Sequence, residues 1–126
     1  METLAVNGIG RIGKLVVKLL VQNQYNLTHL NEINGNIQSL IHSIEFDSIH
    51  GKWQANIEEG KDEIKIDGKS IKATFVENIN DLSLDDVDIM IDCTGVHKSS
   101  SKLQKYFDII HIHGNNFKAK IKDRQL

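Results

Sequence analysis

Three glycines with the spacing Gly-x-Gly-x-x-Gly lie within Asn7-Gly8-Ile9-Gly10-Arg11-Ile12-Gly13, close to the start of the chain. Glycines so placed can cradle a pyrophosphate. Gly8 permits a tight bend, Gly10 lets the main chain approach the phosphates with no side chain between, and Gly13 lets a following helix pack close to the preceding strand. Backbone N–H groups at the start of that helix, reinforced by its dipole, then meet the negative charge. Taken alone the glycines are a weak signal, because loops collect glycine for many reasons. The chemistry becomes specific only when a strand precedes, a helix follows, and an acidic residue stands about twenty positions further on.

The elements that must position such a cradle are legible on both sides of it. Residues 3–6, Thr-Leu-Ala-Val, form a short apolar run ending at the glycines, which suits a buried parallel strand. From Arg11 to Gln22, apolar Ile12, Leu15, Val16, Leu19 and Leu20 recur at helical spacing, with Lys14 and Lys18 on another face and Asn23 at the expected end. Residues 27–31, Leu-Thr-His-Leu-Asn, read as a second strand and complete a βαβ unit of about thirty residues. Glu32 follows directly. Its carboxylate could accept hydrogen bonds from both hydroxyls of an adenosine ribose and would repel a 2′-phosphate. The next cationic residue after Glu32 is Lys52, so NAD is favoured over NADP. The competing interpretation is a plain strand-to-helix turn with a solvated loop acid. The satisfied context favours the cradle.

Further along, residues 36–44 carry Ile37, Leu40, Ile41 and Ile44 at spacings that predict a second helix. From Trp53 to Val76 the period changes to alternation, and Asp67-Gly68 is a two-residue hairpin turn, so a small antiparallel insertion is expected. After a polar stretch over residues 78–86, residues 87–93, Val-Asp-Ile-Met-Ile-Asp-Cys, predict a strongly apolar strand that turns at Thr94-Gly95. Residues 99–107 predict a short helix through Leu103 and Phe107, and residues 109–112 a last strand. The fold class expected is α/β: a Rossmann-like, mostly parallel sheet with flanking helices and a small antiparallel hairpin insertion. It is expected to occupy residues 1–113, with 114–126 as a frayed basic tail.

A chain of 126 residues, 40% hydrophobic, has room for a single core. Its formal net charge of −2 calls for neither nucleic acid nor an anionic membrane surface, and no apolar run is long enough to span a bilayer. One cysteine, Cys93, excludes an internal disulfide framework and, with no charged-then-apolar leader, points to a reducing, cytoplasmic setting. Cys93 and His97 could meet across a turn. A reactive thiolate, however, needs an electropositive surrounding, and Asp88 and Asp92 offer acids instead. His111 and His113 share one strand face but lack the further ligands that zinc requires, so no metal site is expected. His50 reads as a loop histidine, Trp53 as hairpin packing, and Lys118, Lys120, Lys122 and Arg124 as a solvated terminus.

Four segments, NGIGRIG, NEI at 31–33, FDSIHGKW at 46–53 and DCTGVHKS at 92–99, resemble the phosphorylating glyceraldehyde-3-phosphate dehydrogenase family in order and interval, over residues 3–112. The resemblance implies a domain that carries NAD across the carboxyl ends of its parallel strands. By position, the backbone of Arg11 and Ile12 would meet the pyrophosphate, Glu32 would hold the adenosine ribose, Thr94 and Gly95 would line the nicotinamide side, and Asn7 would brace the turn. Two departures stand out. Asn31-Glu32 replaces the usual Asn-Asp, which is more like the erythrose-4-phosphate dehydrogenase or arsenate-associated branches, and Glu77 stands where the family often places an arginine near the adenine. The family's nucleophilic cysteine motif and activating histidine are not found in these residues. The chain is therefore expected to be a truncated, catalytically incomplete form, associating with a full-length relative or with itself. The alternatives are a stand-alone nucleotide-binding module and a frameshifted product without function.

Overall fold

A computed structural model describes residues 1–47 and 51–94. In chain order the elements are β1 (Thr3–Asn7), α1 (Arg11–Gln22), β2 (Asn26–Asn31), α2 (Ile37–Glu45), β3 (Phe46–Asp47), β4 (Gly51–Lys52), β5 (Ile57–Gly60), β6 (Glu63–Ile66), β7 (Lys69–Thr74), a 3-10 turn at Ile79–Asp81, and β8 (Ile89–Asp92). Six strands form one sheet in the order β5-β6-β7-β2-β1-β8. Strands β7, β2, β1 and β8 run parallel, whereas β5 and β6 pair antiparallel with each other and with β7. The fold is thus the expected α/β, Rossmann-like architecture. The antiparallel segment is not a separate layer, because β7 joins the parallel sheet directly and carries β6 and β5 with it. The four parallel strands reverse their order of addition between β1 and β8, which makes the carboxyl end of that pair the topological switch point where such sheets take ligands.

Local chemistry sets the boundaries. α2 begins at Asn36, whose side chain accepts from the Ser39 N–H at 2.9 Å while the Ser39 hydroxyl accepts from the Asn36 N–H at 2.8 Å. This reciprocal pair satisfies two of the donors that every helix start leaves open. α1 ends at Asn23, whose main-chain and side-chain N–H groups both donate to the Leu19 carbonyl. Asp67 and Gly68 both take positive φ, 51° and 86°, as the turn between β6 and β7 requires.

The two sheet faces carry different cores. One packs Val6, Leu30, Ile64, Ile66, Ile71 and Ala73 against Val17 of α1 and Leu40 and Ile44 of α2. On the other, Ala5 meets Ile79, Leu82, Leu84 and Val87, with Val76 and Met90 at the margin. This second cluster corrects the sequence reading of 78–86 as a polar stretch. Its apolar residues follow no regular period, since a 3-10 turn and loop present them, and periodicity is blind to that arrangement. A second correction concerns α1. Its buried residues are Gly13 and Val17, whereas Ile12 is 60% and Leu19 58% exposed and Leu15 also faces out. Of the residues in the expected stripe, Val16 and Leu20 do pack against the core, but the closest approach to the sheet is made at Gly13, which contributes no hydrophobicity to a pattern. The segment at 46–53 holds a two-residue antiparallel ladder, β3 with β4, that sequence reading took for a loop.

Among the described residues no helix is long and apolar enough to cross a membrane. The helix expected at 99–107, the strand at 109–112, the tail at 114–126, and Gly95, His50, His97, His111 and His113 lie outside the described residues.

Candidate functional site

The glycine turn leaves the carboxyl end of β1 and enters α1. Gly8 sits at φ +92°, and a Cβ there would lie 2.8 Å from both the Cγ2 and the backbone N of Thr94. Gly13 admits no Cβ either, because it would overlap the Gly8 carbonyl oxygen. Gly10 differs. Its φ of −86° is open to any residue, and a Cβ built on it meets nothing within 4 Å among the described residues. Packing among the described residues therefore explains glycine at 8 and 13 but not at 10. Open space of this kind beside a helix start can admit a phosphate-bearing ligand.

Gly10 is also the N-cap of α1, and having no side chain it cannot itself cap the helix. The N–H groups of the first turn, over Arg11, Ile12 and Gly13, point out of the helix beside the open space at Gly10. Helix starts of this kind attract phosphate through fixed N–H donors and the positive end of the dipole. Arg11 and Ile12 both expose their side chains, so the backbone is the part of these residues positioned to act.

Glu32 stands next to this turn. One of its carboxylate oxygens accepts from the Ile9 N–H at 2.8 Å and the other from the Asn34 N–H at 2.9 Å, so the acid is latched to the glycine turn on one side and to its own loop on the other. Each carboxylate oxygen can accept more than one hydrogen bond, which leaves capacity for ligand hydroxyls. Thr94, beyond β8, is held by Asp92, whose Oδ1 accepts from the Thr94 N–H at 2.9 Å and from its hydroxyl at 2.6 Å. Asn7, Gly8, Gly10, Arg11, Ile12, Gly13, Glu32 and Thr94 thus come together at the carboxyl edge of β1, β2 and β8. Glu77, further along this edge, is exposed.

Sequence reasoning named Asn7 and Asn31 but missed the contacts that join them beneath this surface. The last rung of the parallel sheet aligns Asp92, Asn7, Asn31 and Thr74 across four strands. Asn31 Nδ2 donates to Asn7 Oδ1 at 2.8 Å, and Thr74 Oγ1 donates to Asn31 Oδ1 at 2.7 Å. His29 Nε2 lies 2.9 Å from Thr74 Oγ1. With the threonine proton directed to Asn31, Nε2 carries the imidazole proton and donates. The sequence signal was available: polar residues at the carboxyl ends of otherwise apolar strands.

His29 is buried, and that burial, followed by the charge of Lys72, lowers its pKa from the ordinary 6.5 to about 4. Between those values the unfolded chain binds a proton that the folded chain rejects, so stability falls as pH drops through that window. Wild type is expected to lose on the order of 2 kcal/mol more than His29→Gln between pH 6.5 and 4 in urea unfolding. Parallel pH profiles for the two proteins would contradict the assignment.

Cys93 is half-buried, and burial first, then the neighbouring Asp92, raises its thiol pKa. That is the reverse of what a nucleophilic thiolate needs. Among the described residues no group of three or more His, Cys, Asp or Glu side chains is placed to hold a metal ion. Trp53 packs half-buried against the helix-side core, with Lys18 Nζ 5.9 Å above its ring. Together with Leu15 and Leu19 it lines an open groove of about 570 Å³ that includes no residue of the glycine turn.

The sequence model of the family described as "Glyceraldehyde 3-phosphate dehydrogenase, NAD binding domain" matches residues 2–100. The chain is 29% identical over 107 residues to glyceraldehyde-3-phosphate dehydrogenase 3 of Nostoc sp., a match covering 82% of this chain and 32% of that protein. It is 33% identical over 101 residues to glyceraldehyde-3-phosphate dehydrogenase of Cereibacter sphaeroides, covering 79% of this chain and 30% of the relative. With glyceraldehyde-3-phosphate dehydrogenase 2 of Saccharomyces cerevisiae it shares 34% identity over 113 residues, which is 86% of this chain and 33% of that protein. The chain spans about a third of the length of these curated relatives. It belongs to the glyceraldehyde-3-phosphate dehydrogenase family, and the part of the family it carries is the NAD-binding domain.

Proposed function

We propose that these residues seat NAD for an aldehyde-oxidising reaction and, taken by themselves, do not turn over an aldehyde. The observation that carries the reading is the space at Gly10, open among the described residues, at a helix start whose preceding residue, Ile9, is latched to the carboxylate of Glu32. When bound, NAD supplies the hydride acceptor. The first-turn N–H groups of Arg11, Ile12 and Gly13 hold its pyrophosphate, Gly10 admits it, and Gly8 and Gly13 keep strand, turn and helix in contact. Glu32 accepts from the adenosine ribose, Asn7 braces the turn, and Thr94 lines the nicotinamide side. No residue here is assigned as nucleophile: burial and the neighbouring Asp92 raise the pKa of Cys93, the single cysteine, which works against thiolate formation.

The Asn31-Glu32 pair favours a branch related to the erythrose-4-phosphate or arsenate-associated dehydrogenases over the glycolytic enzymes. The domain is taken to run to residue 113, with 114–126 as a tail. A reducing, cytoplasmic setting suits the lone cysteine. The outward apolar face of α1, Ile12, Leu15 and Leu19, supports association with a further protein surface, that of a full-length relative or a second copy.

Gly10→Ala separates the ligand from the fold. Alanine is a poorer N-cap than glycine, a cost of under about 1 kcal/mol, and it clashes with none of the described residues. Its melting temperature should stay near wild type while NAD affinity, measured by calorimetric titration, falls about tenfold or more. Undiminished affinity in Gly10→Ala, or in the bulkier Gly10→Val, would overturn the placement of the pyrophosphate.

A further inference from the structure

Among the described residues three buried side chains are polar, Asn7, His29 and Asn31, each no more than 4% exposed. All three belong to one connected network, and Asn31 is its hub. The Asn31 amide meets both main-chain groups of Val76, its Oδ1 accepting from the Val76 N–H at 3.1 Å and its Nδ2 donating to the Val76 carbonyl at 3.0 Å. These backbone partners fix which way the amide points. Its second donor goes to Asn7 Oδ1 and its second acceptor site takes the Thr74 hydroxyl. Two donors and two acceptors are the full capacity of an asparagine side chain, and all are used. One side chain thereby ties together the ends of β1 and β7 and the loop that follows β7.

The next residue is Glu32. Its N–H donates to the Thr74 carbonyl at 3.0 Å, and the Gly8 N–H donates to the Asn31 carbonyl at 2.8 Å, so the sheet ladder closes on both sides of the same peptide. Immediately beyond it the chain leaves the sheet and the carboxylate reaches Ile9 and Asn34. We infer that Asn31 is a positioning residue: its saturated amide sets the peptide from which Glu32 reaches both the glycine turn and the adenosine ribose. The ribose half of this inference rests on the NAD reading above; the reach to Ile9 does not. A buried amide so fully partnered stabilises one geometry of the strand ends, whereas an aliphatic residue there would remove the bonds that Asn7, Thr74 and Val76 make to it.

Asn31→Asp preserves shape but replaces the donor to Asn7 and Val76 with an acceptor. Two readouts on the purified 126-residue chain test the inference. Amide hydrogen exchange at Ile9 should accelerate about tenfold relative to core amides of α2 and β6, with or without ligand. NAD affinity should fall about tenfold in the Glu32 background and less than about twofold when Glu32→Gln is already present. Equal affinity losses in the two backgrounds, or an Ile9 amide as protected as in wild type, would overturn the positioning role. Should Asn31→Asp fail to fold, Thr74→Val removes the hydroxyl that feeds Asn31 Oδ1 and also accepts from His29, and about a threefold change in the same two readouts is expected. Should wild type bind no NAD while the Ile9 amide still responds, the cofactor reading falls and the positioning of Glu32 stands.

Discussion

Replacing Gly13 by alanine is expected to cost the chain roughly 3 kcal/mol or more of stability, at the upper end for an overpacked core substitution. A Cβ at this position overlaps the Gly8 carbonyl oxygen, which is main chain and has no rotamer with which to retreat. Gly8 cannot yield either. Its N–H is bound to the Asn31 carbonyl at 2.8 Å, and its own Cα faces Thr94 so closely that a Cβ would stand 2.8 Å from that residue's backbone N. Helix, turn and β8 are wedged around one point, so the alanine must push α1 off the sheet and open the contact of Val17 with the core. Folded domains of this size hold only about 5–15 kcal/mol in total, so the loss should be plain in a urea midpoint. An unchanged midpoint would mean that the turn is far looser than described. Set beside Gly10→Ala, which should retain stability and lose ligand, this variant should lose stability first. The contrast assigns different work to glycines that look alike in sequence.

Glu32→Gln is expected to weaken NAD binding about 10- to 100-fold, the range for removing hydrogen bonds to a charged acceptor. The glutamine amide cannot accept at both ends. Whichever way it turns, its NH₂ faces either the Ile9 N–H or the Asn34 N–H, so one latch is lost along with the charge that the ribose hydroxyls would meet. The same substitution should erase discrimination against NADP, because the wild-type carboxylate repels a 2′-phosphate and glutamine does not. Competitive titration of both dinucleotides into wild type and variant measures the two effects together. Wild type binding NADP more tightly than NAD would contradict the role given to Glu32.

The cradle was legible because its parts are sequential: apolar strand, glycines, helical period and an acid at the right interval all fall between residues 3 and 32. The bounds of α1 matched the expectation, since Arg11–Gln22 follows a glycine turn and ends at Asn23, a residue suited to the cap it makes. What escaped notice depends on contacts between distant segments. Asn31 was read only as a partner of Glu32 in a motif, because its bonds run to Asn7, Thr74 and Val76, up to 45 residues away. Asp92 was counted as an acid discouraging a thiolate, yet it also fixes Thr94. The core at Ile79, Leu82, Leu84 and Val87 was hidden by the acidic residues Asp81, Asp85 and Asp86 interleaved with it. Such apolar positions are recognised by the sheet face they cover, which only the folded chain displays.

The central claim, that these residues form an NAD seat built on the glycine turn, is tested most directly by calorimetric titration of NAD into the purified 126-residue chain, with its folded state confirmed in the same buffer by a cooperative melt. Saturable binding at one site per chain, abolished or strongly weakened in Gly10→Val, is the predicted result. A flat titration with folded wild-type protein would contradict it.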